Sequence, residues 1–306
     1  MSVPPVLVAV IGPVEPALLT AWVDHYRSLG IERFVLGFHF TDYAPADRRL
    51  ALQAACRELG ITPAAISTGP WHEHTNTRLR DLLRVKAGDG WHLLADSDEF
   101  QVCPVPMDEL IAQAEHGPGT VGGLMLDRVA DDGTLTDWTS GGAGLDAAYP
   151  LGGFFTHRLM RGDPRKVVLA HSRVPVDSGN HRAEGHRPGN RPPVVVHHFK
   201  WRSGVAEDVE RRALHSADGT WQTTSPAWLS EARQCMGHLV RHGGRINVDD
   251  PRFGFRPVSL RAVPAWWAAE ATQLVSAWRP PVYGSAWNES WSMTSSPSPA
   301  GGSNRA

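Results

Sequence analysis

Two hydrophobic periods alternate over the first hundred residues, and that alternation constrains the fold more than any other feature of the chain. Val6 to Ile11 is an unbroken apolar run, as a strand buried on both faces requires. Pro13 to Leu29 then places Leu18, Leu19, Trp22, Val23 and Tyr26 at helical spacing and stops at Gly30, a residue suited to ending a helix. Phe34 to Phe40 reads as a second strand, Asp47 to Leu59 as a second helix ended by Gly60, and Ile61 to Ile66 as a third strand. The order β-α-β-α-β predicts a nucleotide-binding half-fold, a parallel sheet covered by helices.

Roughly Glu73 to Val85 is expected to form a helix carrying Arg78, Arg80 and Arg84, with Arg78 turned toward a nucleotide. Trp91 to Ala95 is a short apolar strand that runs straight into Asp96-Ser97-Asp98-Glu99-Phe100. In open α/β sheets ligands gather at the carboxyl ends of the strands, so the acidic cluster stands where a site is expected. Two carboxylates one residue apart on a turn can reach one hard cation, or divide between the cation and a ribose hydroxyl. A divalent cation held there stabilises the charge that grows on a nucleoside diphosphate as it leaves. An acidic pair in a surface turn is common, and the abrupt exit from a buried strand is what favours the functional reading.

The second half changes character. Val121 to Leu126, Lys166 to Ala170 and Val194 to His198 read as strands separated by loops rich in Gly, Pro and Asp. Val205 to Leu214, Pro226 to His242 and Ala265 to Trp278 have helical spacing, and the chain beyond Trp291 is Ser/Gly/Pro-rich and expected to be disordered. We expect an α/β fold with a central mostly parallel mixed sheet flanked by helices. Its domain would span residues 1–250, with a nucleotide-binding half at 1–100 and an acceptor half at 101–205. A helical extension at 251–291 and a tail at 292–306 would follow.

Composition narrows the function. A formal net charge of −2 with basic residues spread along the chain argues against a nucleic-acid partner. Three cysteines, Cys56, Cys103 and Cys235, contain no CxxC pair, which argues against a disulfide framework or a zinc knuckle. No apolar stretch approaches membrane-spanning length, and the N-terminus lacks a positive segment before its apolar run, so a cytoplasmic protein without a transmembrane anchor is expected. His72 and His74 are two residues apart and lack the i, i+4 spacing of a helical zinc site. Most of the tryptophans from Trp201 to Trp291 are expected to be packing residues, with sugar stacking the minority role.

Several segments, in order, resemble bacterial glycosyltransferases of the family 2 type and, more loosely, the DUF23-like family 92 enzymes. They are Ala21-Trp22-Val23-Asp24-His25-Tyr26-Arg27 with Leu29-Gly30-Ile31 and Phe34, then the Asp96-Ser97-Asp98-Glu99-Phe100 strand end. Downstream come Asp127 to Gly133, Gly162 to Leu169, Gly179-Asn180-His181 and His197-His198-Phe199-Lys200-Trp201, so the resemblance spans about residues 6 to 250. It implies a fold of the GT-A type and a hexosyltransferase-like enzyme moving a sugar from a nucleotide-diphosphate sugar to a hydroxyl acceptor (a glycan, lipid or natural product) with Mn2+ or Mg2+; an inverting transfer is expected, with a retaining one as the alternative. It also implies His198, ahead of Phe199, as a metal ligand beside Asp96 and Asp98. The chain departs from the related enzymes after the first strand, where Gly12-Pro13-Val14-Glu15 stands in place of an Asn-Glu, and Glu15 is expected to take over part of nucleotide recognition.

The remaining assignments follow from residue type and place. Asp96 and Lys166 are expected at the nucleotide, Lys166 offsetting phosphate charge together with Arg165. His181, in a loop between strands, is expected to act at the diphosphate or to ligate the metal instead. The base that accepts the acceptor's proton is expected among Asp127, Asp131, Asp132, Asp177 and Glu184, with Asp127 preferred because it ends an apolar strand. A nucleotidyltransferase-like enzyme on the same half-fold, or a non-catalytic sugar- or nucleotide-binding relative, are the alternatives.

Overall fold

The computed structural model describes residues 4–72, 74–139, 144–221 and 227–277. The elements run β1 (Val6–Ile11), α1 (Pro16–Ser28), β2 (Phe34–Phe40), α2 (Ala46–Glu58), β3 (Ala65–Thr68), α3 (Thr75–Ala87), β4 (Trp91–Leu94) and β5 (Glu99–Val102). They continue with α4 (Met107–Glu115), β6 (Thr120–Val129), α5 (Leu145–Ala148), β7 (Leu151–Gly153), α6 (Phe155–Met160) and β8 (Arg165–His171). A single helical turn at Ser178–Asn180 precedes β9 (Val194–His198), α7 (Val205–Ala217), α8 (Ala227–Arg241), β10 (Arg256–Pro257) and α9 (Trp267–Ala277). The expected tail at 292–306 and the end of the expected extension lie outside the described residues.

Strand order across the sheet is β10-β7-β6-β8-β4-β1-β2-β3, and β9 pairs with both β6 and β5. Following the pairings, β1, β2, β3, β4, β6, β9 and β10 run one way and β5, β7 and β8 the other. The mostly parallel mixed sheet expected from the sequence is therefore present, with helices on its faces. Continuous apolar strands such as β1 and β6 are buried along nearly their whole length, as a sheet covered on both sides demands.

Boundaries differ from expectation where main-chain chemistry intervenes. Helix α1 starts at Pro16 rather than Pro13, because proline at the first helical position lacks only an N–H that would have no partner there. Strand β3 forms at Ala65 rather than Ile61. The N–H of Ile61 turns back to Cys56 O at 3.0 Å behind Gly60, whose φ is 72°, closing α2, and Pro63 has no N–H to offer a neighbour. Strand β5 is unexpected altogether, since its polar Glu99 and Gln101 suggest an exposed turn, yet both are buried.

Helix α1 is what anchors β5. Trp22 Nε1 donates to Asp96 O (3.1 Å) and Glu99 O (2.9 Å), and Tyr26 OH donates to Glu99 O at 2.9 Å. The ring of His25 donates through Nε2 to Gln101 O at 2.8 Å. These side chains satisfy the carbonyls on the edge of β5 that faces away from β9, so the acidic turn is tied to the core rather than left as an open edge.

The carboxy-terminal segment shares this body. Strand β10 joins the sheet through β7, and Trp267, Ala271 and Leu274 of α9 pack with Val102, Leu124, Leu126 and Val195. Helices α6, α7 and α8 enclose a further cluster around Phe155, Trp201 and Phe253. His238 sits in it, 1% exposed, with the ring of His242 at 4.5 Å. Burial together with His242 pushes its imidazole down to about 4. Neutral in the fold and protonated in the unfolded chain below pH 6.5, it makes the unfolded state bind the extra proton, so its contribution to stability is lost as pH falls from 6.5 toward 4. We expect the urea midpoint of wild type to fall more steeply over that window than that of His238→Gln; equal slopes would count against a neutral, enclosed His238.

Candidate active site

The acidic turn leaves β4 at the carboxyl edge of the parallel strands and re-enters the sheet at once as β5. Gly12 N, at the end of β1, donates to Ser97 Oγ at 3.4 Å, which joins the first loop to the turn. Glu99 folds back so that its Oε2 accepts from Asp96 N at 3.2 Å. Burial and the like charge of Asp96 push Glu99 up to about 7 in spite of a cation beside it.

That cation is Lys166 on β8. Its Nζ lies 2.9 Å from Asp96 Oδ2 and 2.6 Å from Glu99 Oε1, and it donates to Gly179 O at 2.7 Å. The side chain is 4% exposed, and its two carboxylates hold the ammonium charged well above the usual lysine range against the burial that would discharge it. Burial would raise Asp96 as well, but Lys166 outweighs it and keeps that carboxyl below the usual range. Asn180 Nδ2 donates to Asp96 Oδ1 at 3.4 Å. Lys166, expected at the nucleotide, is thus a hub that fixes the acidic turn from beneath.

A second arrangement stands across the turn. Adjacent residues of β9 face opposite sides, and the register sorts the two histidines: His197 is wholly enclosed and takes Arg128 Nη1 on its Nδ1 at 3.2 Å, while His198 faces the acidic residues. His198 Nδ1 donates to Asp127 Oδ1 at 3.0 Å, which leaves Nε2 at 3.9 Å from Asp98 Oδ2. Burial would lower the His198 imidazole, but the Asp127 hydrogen bond and the Asp98 charge raise it.

Asp127 itself, expected as the general base, is 2% exposed and surrounded. Its carboxylate accepts Thr156 N (2.6 Å), Thr156 Oγ1 (2.8 Å), Trp201 Nε1 (3.1 Å) and the His198 ring. Burial would raise it, but the bonds from His198 and Thr156 hold it below the usual range. A saturated carboxylate held below the usual range is a poor proton acceptor, and what Asp127 contacts here is the His198 ring, whose direction it fixes.

Other residues named from the sequence fall in different places. Glu15 grips Arg202 Nε at 3.0 Å and lies 3.5 Å from Arg48, so its oxygens are spent on arginines rather than open to a base. Arg78 is exposed on α3, and it is Arg80, 5% exposed, that reaches inward to Asp177 O (2.7 Å), Asn180 Oδ1 (2.8 Å) and Val176 O. The helical phase decides this, since Arg80 lies nearly on the same face as Leu83 and Arg84. His181 bonds through Nδ1 to Arg165 O at 2.8 Å, and burial and Lys166 bring it down to about 4, which leaves it neutral near pH 7. Sequence reasoning missed Glu99, Asn180, Thr156 and Arg202, and only the adjacency of Glu99 and Asn180 to named motifs was a signal.

The cation expected from the sequence was given three protein ligands. Among the described residues no three His, Cys, Asp or Glu side chains are arranged to hold one. Asp96 departs from that set because Lys166 and Asn180 engage its two oxygens. Asp98 and His198 fit the remainder: a carboxylate oxygen and an imidazole nitrogen face each other, and the imidazole is fixed by a carboxylate on its far nitrogen, the usual outer support of a metal-binding histidine.

No family profile matches the chain, so the family-level resemblance of its motifs has no profile behind it. No curated protein matches it either. Among solved structures it is similar to S. aureus TarS 1–349 in complex with UDP-GlcNAc, at 11% identity over 80% of this chain and 74% of that one, with a TM-score of 0.34. It is similar to the mannosyltransferase PcManGT of Pyrobaculum calidifontis in complex with GDP-Man and Mn2+, at 12% identity over 90% and 75%, TM-score 0.34. A 4-diphosphocytidyl-2C-methyl-D-erythritol synthase matches at 15% identity over 47% and 68%, TM-score 0.24. Likenesses this distant assign no reaction, and function must be argued from the site.

Proposed function

We propose that the chain is a glycosyltransferase that moves a sugar from a nucleoside-diphosphate donor to a hydroxyl acceptor with a divalent cation at Asp98 and His198. The observation that supports this most directly is the His198 imidazole, held by Asp127 and presented to Asp98 across 3.9 Å beside the acidic turn. With few protein ligands the cation would draw the rest of its shell from water and the donor's phosphates, which suits Mg2+ or Mn2+. When bound, it supplies charge stabilisation to the leaving diphosphate.

The chain's own residues do the rest. Lys166 holds Asp96 and Glu99 in one geometry, so the turn need not reorganise as charge develops. Asp127 sets the tautomer and direction of His198. The turn at Ser178–Asn180, fixed by Arg80 and by Lys166, closes the far wall. A nucleotidyltransferase would want basic residues in the loop after β1, and residues 12–16 contain none.

Calorimetric titration with UDP, GDP and TDP, with and without Mn2+, tests the reading: one of them should bind only with the metal present. Asp127→Asn should weaken Mn2+ affinity by about 10- to 100-fold, the usual effect of removing the outer support of a ligand, and should also lower stability, because its amide N–H meets one of the donors that the carboxylate accepts. Metal affinity unchanged in that variant would detach Asp127 and His198 from the site.

A further inference from the structure

Among the described residues several enclosed polar atoms have no hydrogen-bond partner, and a group of them marks one seam. His39 Nε2, Thr77 Oγ1, Arg202 Nη1, Arg212 Nε and Trp221 Nε1 all belong to it. His39, Arg202 and Trp221 are 6%, 8% and 2% exposed. His39 is near the carboxyl end of β2, Thr77 in the first turn of α3, Arg202 just past β9, Arg212 within α7 and Trp221 shortly after it. The seam is therefore the line along which α7 and its flanks meet the carboxyl edge of the nucleotide-binding half.

Aromatic and ionic contacts hold it shut. Tyr43 OH, in the loop after β2, donates to Asp208 Oδ1 on α7 at 3.1 Å. Its ring stacks near Trp221 (centroids 6.1 Å, 19° between planes), and the Arg211 guanidinium lies 4.2 Å above it. Trp71, just before α3, meets Trp221 at 5.6 Å. Glu15 takes Arg202 from the β1 side through Nε and leaves Nη1 enclosed and unpaired.

Buried donors without partners are few in folded proteins, and a cluster along one seam calls for a ligand to satisfy them. The set is mixed: a guanidinium N–H suited to an anionic oxygen, an indole N–H that only donates, and an imidazole and a hydroxyl that can each serve a sugar or a base edge. Building on the donor class proposed above, we propose that α7 and Trp221 cover the donor cleft and that these five groups bind the nucleoside diphosphate once the cover shifts. Arg202 takes a phosphate oxygen, with Glu15 as its positioning partner. His39, Thr77, Arg212 and Trp221 line the nucleoside end.

The test uses the full chain with UDP, GDP and TDP in Mn2+, and two variants, Trp221→Phe and Arg202→Met. Trp221→Phe keeps a ring in the stack and deletes only an unpaired donor, so the free protein should keep or gain thermal stability while nucleotide affinity falls about tenfold. Arg202→Met should weaken the nucleoside diphosphate about tenfold or more and leave the matching free nucleoside unchanged. Hydrogen exchange of the α7 amides should change when the nucleotide is added to wild type. Nucleotide bound by wild type with unchanged affinity in both variants and unchanged α7 exchange overturns this assignment alone. No metal-dependent binding of any of the three by wild type overturns the donor class itself.

Discussion

Asp98→Ala is expected to remove metal-dependent nucleotide binding from this protein, with a loss of at least about 100-fold in affinity. Deleting the outer support of a metal ligand commonly costs 10- to 100-fold, and deleting a ligand should reach the upper end of that range or pass it. The site offers little compensation. Asp96 has Oδ2 on Lys166 and Oδ1 facing Asn180, so it cannot turn to the cation without breaking the ammonium pair. His198 remains aimed by Asp127 but has no carboxylate opposite. Folding should be nearly unaffected, because among the described residues no hydrogen bond to the Asp98 side chain holds the turn; what ties this residue down is its main chain, where Asp98 O accepts Phe199 N at 2.8 Å. Calorimetry with Mn2+ and the preferred nucleotide reads the result, and retained metal-dependent binding in Asp98→Ala would refute the assignment of this residue.

Lys166→Met acts on stability instead. It leaves two carboxylates together without their cation, one of them Glu99 at 2% exposure, and breaking a buried pair from one side costs about 3–5 kcal/mol. Asp96 keeps 43% of its side chain in solvent, which relieves part of that, so the lower end of the range is expected. The pH dependence has a definite sign. Glu99 is already raised to about 7 with the lysine present, and its protonated form has no charge to leave unpaired. The unfolded chain, with an ordinary glutamate, binds fewer protons between about 4.5 and 7. The loss caused by Lys166→Met should therefore be larger at pH 8 than at pH 6. Urea denaturation at both values measures it, and Glu99→Gln added to Lys166→Met should restore much of the difference. A loss that is independent of pH and of Glu99 would mean that the methionine acts by packing alone.

How far the site was legible can be followed residue by residue. The acidic turn stood out because apolar residues lead into it without a break, and burial of a strand on both faces leaves no other explanation for such a run. Strand alternation allows only one of His197 and His198 to face the site, the resemblance at Phe199 points to His198, and the register of β9 turns that ring toward Asp98 and Asp127. The expectation of Asp127 as the general base rests on position alone: ending an apolar strand places it near a site but says nothing about how many donors converge on it. Thr156 and the His198–Trp201 stretch come from two other segments, and only folding brings them to one carboxylate. Arg78 and Arg80 carry the same charge, so residue type does not separate them, and it is the packing of α3 on the 176–180 turn that buries Arg80.

By itself the sequence determined the local periods, and with them the alternation of strands and helices and the place where the chain leaves the sheet carrying acid. Those features depend on contacts between residues a few positions apart. Tertiary structure decided which charges meet. Lys166 finds Asp96 across 70 positions and His198 finds Asp127 across 71, and Asp208 on α7 meets Tyr43, in the loop after β2, across 165. Pairings of that range are set by strand order and register, which no local pattern of residues encodes.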